Sequence, residues 1–186
     1  MQDYLMTLLG GLAITLQLTA FSLLLGVLMA AGMTWVLERR IPVATQLVQL
    51  WVLIFTGTPL LIQIFLIYYG PGQFEWLKAG PLWPLLKQPW FCAVLALGFN
   101  TAAYSTRLFK GALDAIPAGE VEACRALGFS AGQTLWMKTR HAARRLVPAY
   151  SNEVILVLKG SSLASTITIM DIMGLAQRLN AQTYDT

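Results

Sequence analysis

Charge is scarce in this 186-residue chain: Asp, Glu, Lys and Arg make up 12% of it, about half the share in an ordinary soluble domain. Hydrophobic residues make up 56%, so the chain reads as membrane-embedded. Histidine occurs once and cysteine twice. Cys92 lies in an apolar run and Cys124 in a polar one, without CxxC or metal-ligand spacing, which excludes a disulfide framework and a zinc site and leaves two free thiols. HExxH and GxSxG are both missing, so a membrane-embedded enzyme finds no support. The net charge of +4 is not accompanied by a basic stripe interleaved with exposed aromatics, and nucleic acid is not an expected partner. No internal inverted repeat is visible.

What the chain has instead is long uncharged runs. Gly10 to Leu37 would reach ~42 Å as a helix and span with tilt. The acidic start Met-Gln-Asp-Tyr and the length of the run argue against a cleaved signal peptide. The run ends at Glu38-Arg39-Arg40, and Pro42 restarts the chain. Val43 to Tyr69 is interrupted at Phe55-Thr56-Gly57-Thr58-Pro59. Proline lacks a backbone donor, so carbonyls near Ile54 and Phe55 lose their partners inside the bilayer and a kink or break is expected. The break is either a packing kink relieved by the Thr56 and Thr58 hydroxyls or the lining of a polar pathway, with Gln63 one turn beyond. Residues 70–89, rich in Pro, Gly and Trp, read as a loop anchored by Trp76, Trp83 and Trp90.

A third run, Trp90 to Thr106, would extend ~26 Å and just span. It carries Asn100, with Tyr104 one turn on along the same face; the amide serves either helix-to-helix bonding or a substrate. Arg39 and Arg40 follow the first run, and Arg107, Lys110, Arg125, Lys138, Arg140, Arg144 and Arg145 follow the third, whereas only Lys78 and Lys87 lie between the second and third. The positive-inside rule then makes residues 107–146 cytoplasmic and the N-terminus periplasmic.

Within that segment a short acidic helix is expected from Pro117 to Leu127, with Gly128 as a left-handed cap. Ser130 and Gln133 have capping-box spacing for a second, cationic helix. His141 in that helix reads as a surface residue. A fourth apolar stretch starts near Leu146 and contains Tyr150-Ser151-Asn152-Glu153. Glu153 is neutralised by a base such as Arg144, Arg145 or Lys159, or sits at the headgroup level, or is the counter-charge for a cationic solute; unit charges ~4 Å apart attract by about 4 kcal/mol at an effective dielectric of 20. From Ser161 to Thr186 the sequence reads as a short re-entrant or outer segment. A single all-α domain, 1–186, with about four spans is expected.

Several motifs carry a family resemblance. Gly119-Glu120-Val121-Glu122-Ala123-Cys124-Arg125-Ala126-Leu127-Gly128 resembles the EAA loop of permease subunits of importer-type ABC transporters. Thr56-Gly57-Thr58-Pro59-Leu60-Leu61-Ile62-Gln63 resembles the GTPLL(V/I)Q motif of the polar amino acid branch, and Tyr150-Ser151-Asn152-Glu153 continues the match. Phe55 to Phe74 and Thr183-Tyr184-Asp185 resemble the arginine-transporting members. This chain has Thr56 where family members commonly have arginine, and Thr139-Arg140 where they have Leu-Pro. Such subunits end with a further span, so the chain is expected to be C-terminally truncated.

The resemblance implies an inner-membrane permease that makes and breaks no bonds and holds no cofactor, ATP being bound by a partner ATPase. Further implied partners are a sister permease or second copy and a periplasmic amino-acid-binding protein. It implies ATPase coupling through Glu120, Glu122, Ala123 and Gly128, with Leu127 and Phe129 packing on the ATPase, and a substrate path, most simply for arginine, formed by Glu153 and Asn100 with Gln63 and Ser151. The alternative is a noncatalytic membrane scaffold or a secondary-carrier fragment that needs no ATP.

Overall fold

A computed structural model describes residues 2–183; Tyr184 and Asp185 of the terminal resemblance lie outside the described residues. The long helix α1 (Gln2–Arg39) is, between Leu5 and Arg39, the one described helix that is long and apolar enough by itself to cross a membrane. It stops at Arg40, whose φ of 52° turns the chain, and Pro42 opens α2 (Pro42–Gly57) at a position where no backbone donor is needed. The expected break follows: α3 (Leu60–Tyr69) leaves α2 through a bend of 108°. That angle is far beyond a proline kink.

Residues 70–89 are more ordered than a loop. They hold a 3₁₀ turn (Pro71–Gln73), α4 (Glu75–Lys78) and α5 (Trp83–Leu86), with Phe74 and Trp76 exposed. The third apolar run does not end at Thr106: α6 spans Pro89–Asp114. Arg107 and Lys110 end its apolar surface but not its backbone ladder, and the Arg145 guanidinium donates to the Ala115 carbonyl at its C-terminus (2.9 Å).

The short acidic helix is α7 (Ala118–Ala126). Gly128, at φ 78°, caps it: Phe129 N–H donates to the Cys124 carbonyl and Gly128 N–H to the Arg125 carbonyl, both at 3.0 Å, the paired bonds of a Schellman motif. Ser130 and Gln133 then form the expected capping box of α8. Here the structure corrects the sequence. The cationic helix and the apolar stretch from Leu146 are one helix, α8 (Ala131–Gly160), which passes through Pro148. Its basic half survives the lost bond because Ala142 and Leu146 pack on Leu113, Ile116 and Val121. At Thr139-Arg140 the helix continues without punctuation, with Arg140 over the Trp136 ring (5.5 Å). Residues 107–146 are therefore helical except around the 115–117 and 127–130 turns.

After α8 come a 3₁₀ stretch (Ser161–Ile167) and Thr168 in the left-handed region, then α9 (Ile172–Thr183). Asp171 caps α9, accepting from Gly174 N–H (2.8 Å), and Ile172 N–H donates to Thr15 Oγ1 (3.3 Å). The tail thus returns to the N-terminal half of α1. By length and apolarity alone the described residues hold one span, or up to three if each bent helix pair counts as one. The expected four are reached only if α6, whose apolar run is interrupted by Asn100 and closed by Arg107, is counted as a further span.

Those small and polar residues explain why α6 is central. Thr101, Ala102, Ser105 and Thr106 are buried along it, and α1 approaches closely where it offers glycine. A Cβ on Gly26 would lie 2.0 Å from Thr101 Cγ2, and one on Gly98 would lie 2.6 Å from Leu25 Cδ2. In a bilayer, where lipid matches side chains in apolarity, such close packing takes over the role of the hydrophobic effect. Leu18, Ile64, Ala93, Val94, Ala164 and Ile167 form the main core between α1, α3, α6 and the 3₁₀ stretch. Gly26→Ala is expected to destabilise the protein by about 1–3 kcal/mol through overpacking, read as a lowered thermal midpoint of the detergent-solubilised complex. Gly32→Ala, with nothing within 4 Å of the added Cβ, should leave it unchanged; equal effects would refute the close-contact account.

Candidate functional site

The break between α2 and α3 organises the first polar cluster. Pro59 has no N–H for the Phe55 carbonyl, and the carbonyl is taken instead by Gln63 Nε2 (2.9 Å) and Asn100 Nδ2 (3.2 Å). Gln63 Nε2 also donates to Thr58 Oγ1 (2.7 Å) and the Thr58 carbonyl (3.0 Å), while its Oε1 accepts from Asn100 (3.0 Å). The Thr56 and Thr58 hydroxyls donate to the Val52 and Ile54 carbonyls, each at 2.7 Å. Of the alternatives for Asn100 and the break, the structural ones are met here: helix-to-helix bonding ties the broken helix to α6, and the threonine hydroxyls relieve the kink.

One helical turn deeper, Asn100 also faces a cavity of about 200 Å³ lined by Leu60, Leu97, Tyr104, Glu153 and Leu156. Its Nδ2 is committed to the break, which leaves Oδ1 as the atom that can meet a solute. Glu153 is 5% exposed, and its Oε1 accepts from Thr101 Oγ1 (2.5 Å). None of Arg144, Arg145 and Lys159 pairs with it among the described residues. The carboxylate is therefore held by a neutral donor and turned toward a partly apolar cavity.

Of the four pathway residues named from the sequence, Glu153 and Asn100 share this cavity and the other two do not line it. Gln63 is buried and spent on the break. Ser151 is exposed, and its hydroxyl donates back to the Val147 carbonyl (2.9 Å), the usual use of a serine within a helix. Thr101, which orients Glu153, was missed. It stands among many small residues of α6, and only its distance to Glu153 singles it out.

The second site is the helical hairpin of α7 and α8. Cys124 is buried, whereas Leu127 is 76% and Phe129 40% exposed. Glu122, Ala123 and Gly128 also face outward. Glu120 Oε2 lies 3.3 Å from His141 Nδ1, so His141 joins the two helices rather than standing free at the surface. The result is a rigid turn presenting two apolar side chains. At its base Glu38 of α1 pairs with Lys110 of α6 (3.1 Å) and Lys138 of α8 (2.5 Å).

A helical bundle with a membrane-length helix, a buried carboxyl group near a broken helix and an exposed apolar hairpin fits a membrane transport subunit. Residues 22–185 match the family model of binding-protein-dependent transport system inner membrane components, and the chain belongs to that family as a permease subunit of an ABC importer. It is 51% identical to the arginine ABC transporter permease protein ArtM of Haemophilus influenzae over 99% of this chain and 81% of that protein. With ArtM of Escherichia coli strain K12 it shares 50% identity over 100% of this chain and 84% of the relative. The octopine transport system permease protein OccM of Rhizobium radiobacter is 41% identical over 96% of this chain and 74% of the relative. A crystal structure of an amino acid ABC transporter with histidines superposes with a TM-score of 0.87 at 29% identity, covering 99% of this chain and 82% of that one.

Replacing Gln63 with leucine removes the donor that replaces the missing proline N–H. A loss of about 1–3 kcal/mol is expected from the unsatisfied groups left behind, measured by thermal unfolding of the purified complex. Ser151→Ala should shift that midpoint by less than about 0.5 kcal/mol, and a Gln63→Leu effect no larger would discard the role of Gln63 at the break.

Proposed function

We propose that this permease carries L-arginine inward across the bacterial inner membrane, with Glu153 as the counter-charge and Asn100 as the polar contact on the path. The observation that carries the proposal is Glu153 itself, a buried carboxylate on a cavity, bonded to a neutral threonine instead of to any of the nearby cations. A guanidinium offers five donors and matches a carboxylate in charge and in plane. The names of the ArtM relatives support the same substrate. Histidine is the competing cargo, favoured by the solved amino acid transporter with histidines and by the ability of a carboxylate to hold any α-ammonium group.

In this scheme a periplasmic amino-acid-binding protein delivers the solute to the outer face, where the N-terminus lies. This chain and a second permease, a sister subunit or another copy, enclose the path. Separate ATPase subunits bind ATP and drive alternating access, gripping Leu127 and Phe129 while Glu120, Glu122, Ala123 and Gly128 shape the docking face. Cys124, Ser130 and Gln133 hold the hairpin stiff enough for a push on α7 to move α8.

Labelled arginine uptake into proteoliposomes holding the permease, its ATPase and its binding protein tests the scheme. Uptake should require ATP, fall at least tenfold in Glu153→Gln, since about 1.4 kcal/mol of lost attraction suffices for that factor, and stay within about twofold in Ser151→Ala. ATP-driven uptake of histidine but not arginine would refute the cargo, and uptake indifferent to ATP would refute the coupling. Phe129→Ala is expected to lower transport-coupled ATP hydrolysis several-fold while leaving binding of arginine by the purified complex intact; unchanged hydrolysis would remove Phe129 from the docking face.

A further inference from the structure

Two adjoining cavities lie at the level where α1 ends. One, of about 300 Å³, is lined by Glu38, Arg39, Val121, Arg125, Phe129 and Lys138. Three cations there face one carboxylate, and Glu38 is already shared between Lys138 and Lys110, the latter also paired with Asp114. Arg39 and Arg125 enter no ion pair among the described residues and both are exposed. The second cavity, of about 230 Å³, runs between α1, α6 and α8 and is lined by Trp35, Phe109, Leu113, Leu135 and Leu146. Glu38 and Leu135 belong to both linings, so a basic chamber opens beside an apolar one. The Arg39 guanidinium lies over the Trp35 ring (5.5 Å), a pairing of the two residue types that anchor helices between headgroup and acyl depth.

We propose that these joined cavities bind one anionic phospholipid of the cytoplasmic leaflet, its phosphate between Arg39, Arg125 and Lys138 and an acyl chain against Trp35, Phe109 and Leu146. The net positive lining selects charge, and basic pockets beside membrane helices on the cytoplasmic side bind such headgroups. The apolar chamber selects a lipid over a free anion. Because Arg125 belongs to α7 and Lys138 to α8, the lipid bridges the exposed hairpin to the end of α1.

The test uses the complex of permease and ATPase, delipidated in detergent and supplied with phosphatidylglycerol or phosphatidylcholine carrying brominated acyl chains. Native mass spectrometry should find phosphatidylglycerol retained at least about fivefold over phosphatidylcholine. Arg39→Gln and Arg125→Gln should each lower retention about fivefold, the factor for one basic residue at a membrane surface, and Arg178→Gln on α9 should not lower it. Bromine quenching of tryptophan emission should weaken in Trp35→Phe. Equal retention of the two lipids, or equal effects of Arg125→Gln and Arg178→Gln, would overturn the proposal. Inorganic phosphate bound in place of any phosphatidylglycerol would overturn the lipid in favour of a free-anion site.

Discussion

A backbone carbonyl inside a bilayer must find a donor, and in this protein one such carbonyl, that of Phe55, governs the arrangement around it. Pro59 removes its natural partner, and the deficit is met from two directions, by Gln63 beyond the break and by Asn100 on α6. Neither donor could act without the other's position, since the Asn100 amide also holds the Gln63 carbonyl oxygen. The 108° bend is thus locked to α6 rather than left as a hinge. Unsatisfied polar groups cost several kcal/mol in hydrocarbon, so this cluster is a condition for folding as well as the rim of the cavity.

The same helix α6 holds the carboxylate on the other side. Thr101 donates to Glu153, and Thr101 fits against α1 only because Gly26 has no side chain. A glycine on α1, a threonine on α6 and a glutamate on α8 therefore form one chain of dependence. It fixes one oxygen of a buried carboxyl group that has no basic partner among the described residues. One neutral hydrogen bond does not replace a counter-ion, which leaves the cavity as the side from which one would come.

Much of this was legible in the residues. The uncharged runs, the disruption around Pro59, the Gly128 cap and the Ser130–Gln133 box each follow from local chemistry, and each is found where that chemistry requires it. Less legible was anything that depends on a neighbour. The basic patch at 138–145 marks a change of solvent but does not stop a helix, so α8 runs through the boundary that composition suggested at Leu146. α6 likewise outlasts its apolar surface by two turns, and Arg145 bonds the Ala115 carbonyl just past its end. Gln63 and Ser151 share a polar character with Asn100 and Glu153, yet their direction is set by partners eight and four residues away, which a residue type does not reveal. Thr101 carries no signal at all outside the three-dimensional contact.

The continuity of α8 bears on how distant sites communicate. From Ala131 at the hairpin to Glu153 at the cavity α8 is continuous over ~33 Å, so in the proposed scheme a displacement of α7 would travel toward Glu153 along one helix instead of through a loop. Pro148 is the one weak point along that path, because the Arg144 carbonyl loses its partner there and the ladder can bend. Below it, Glu38 ties α8 to α1 and α6 through two lysines. Above it, Thr101 ties α8 to α6 again. In the proposed scheme a push at the hairpin meets first the half-buried ionic tie of Glu38, on the wall of the cavity assigned above to a lipid headgroup. In the proposed alternating-access scheme the bond between Thr101 and Glu153 is the second tie that such a push would meet along α8.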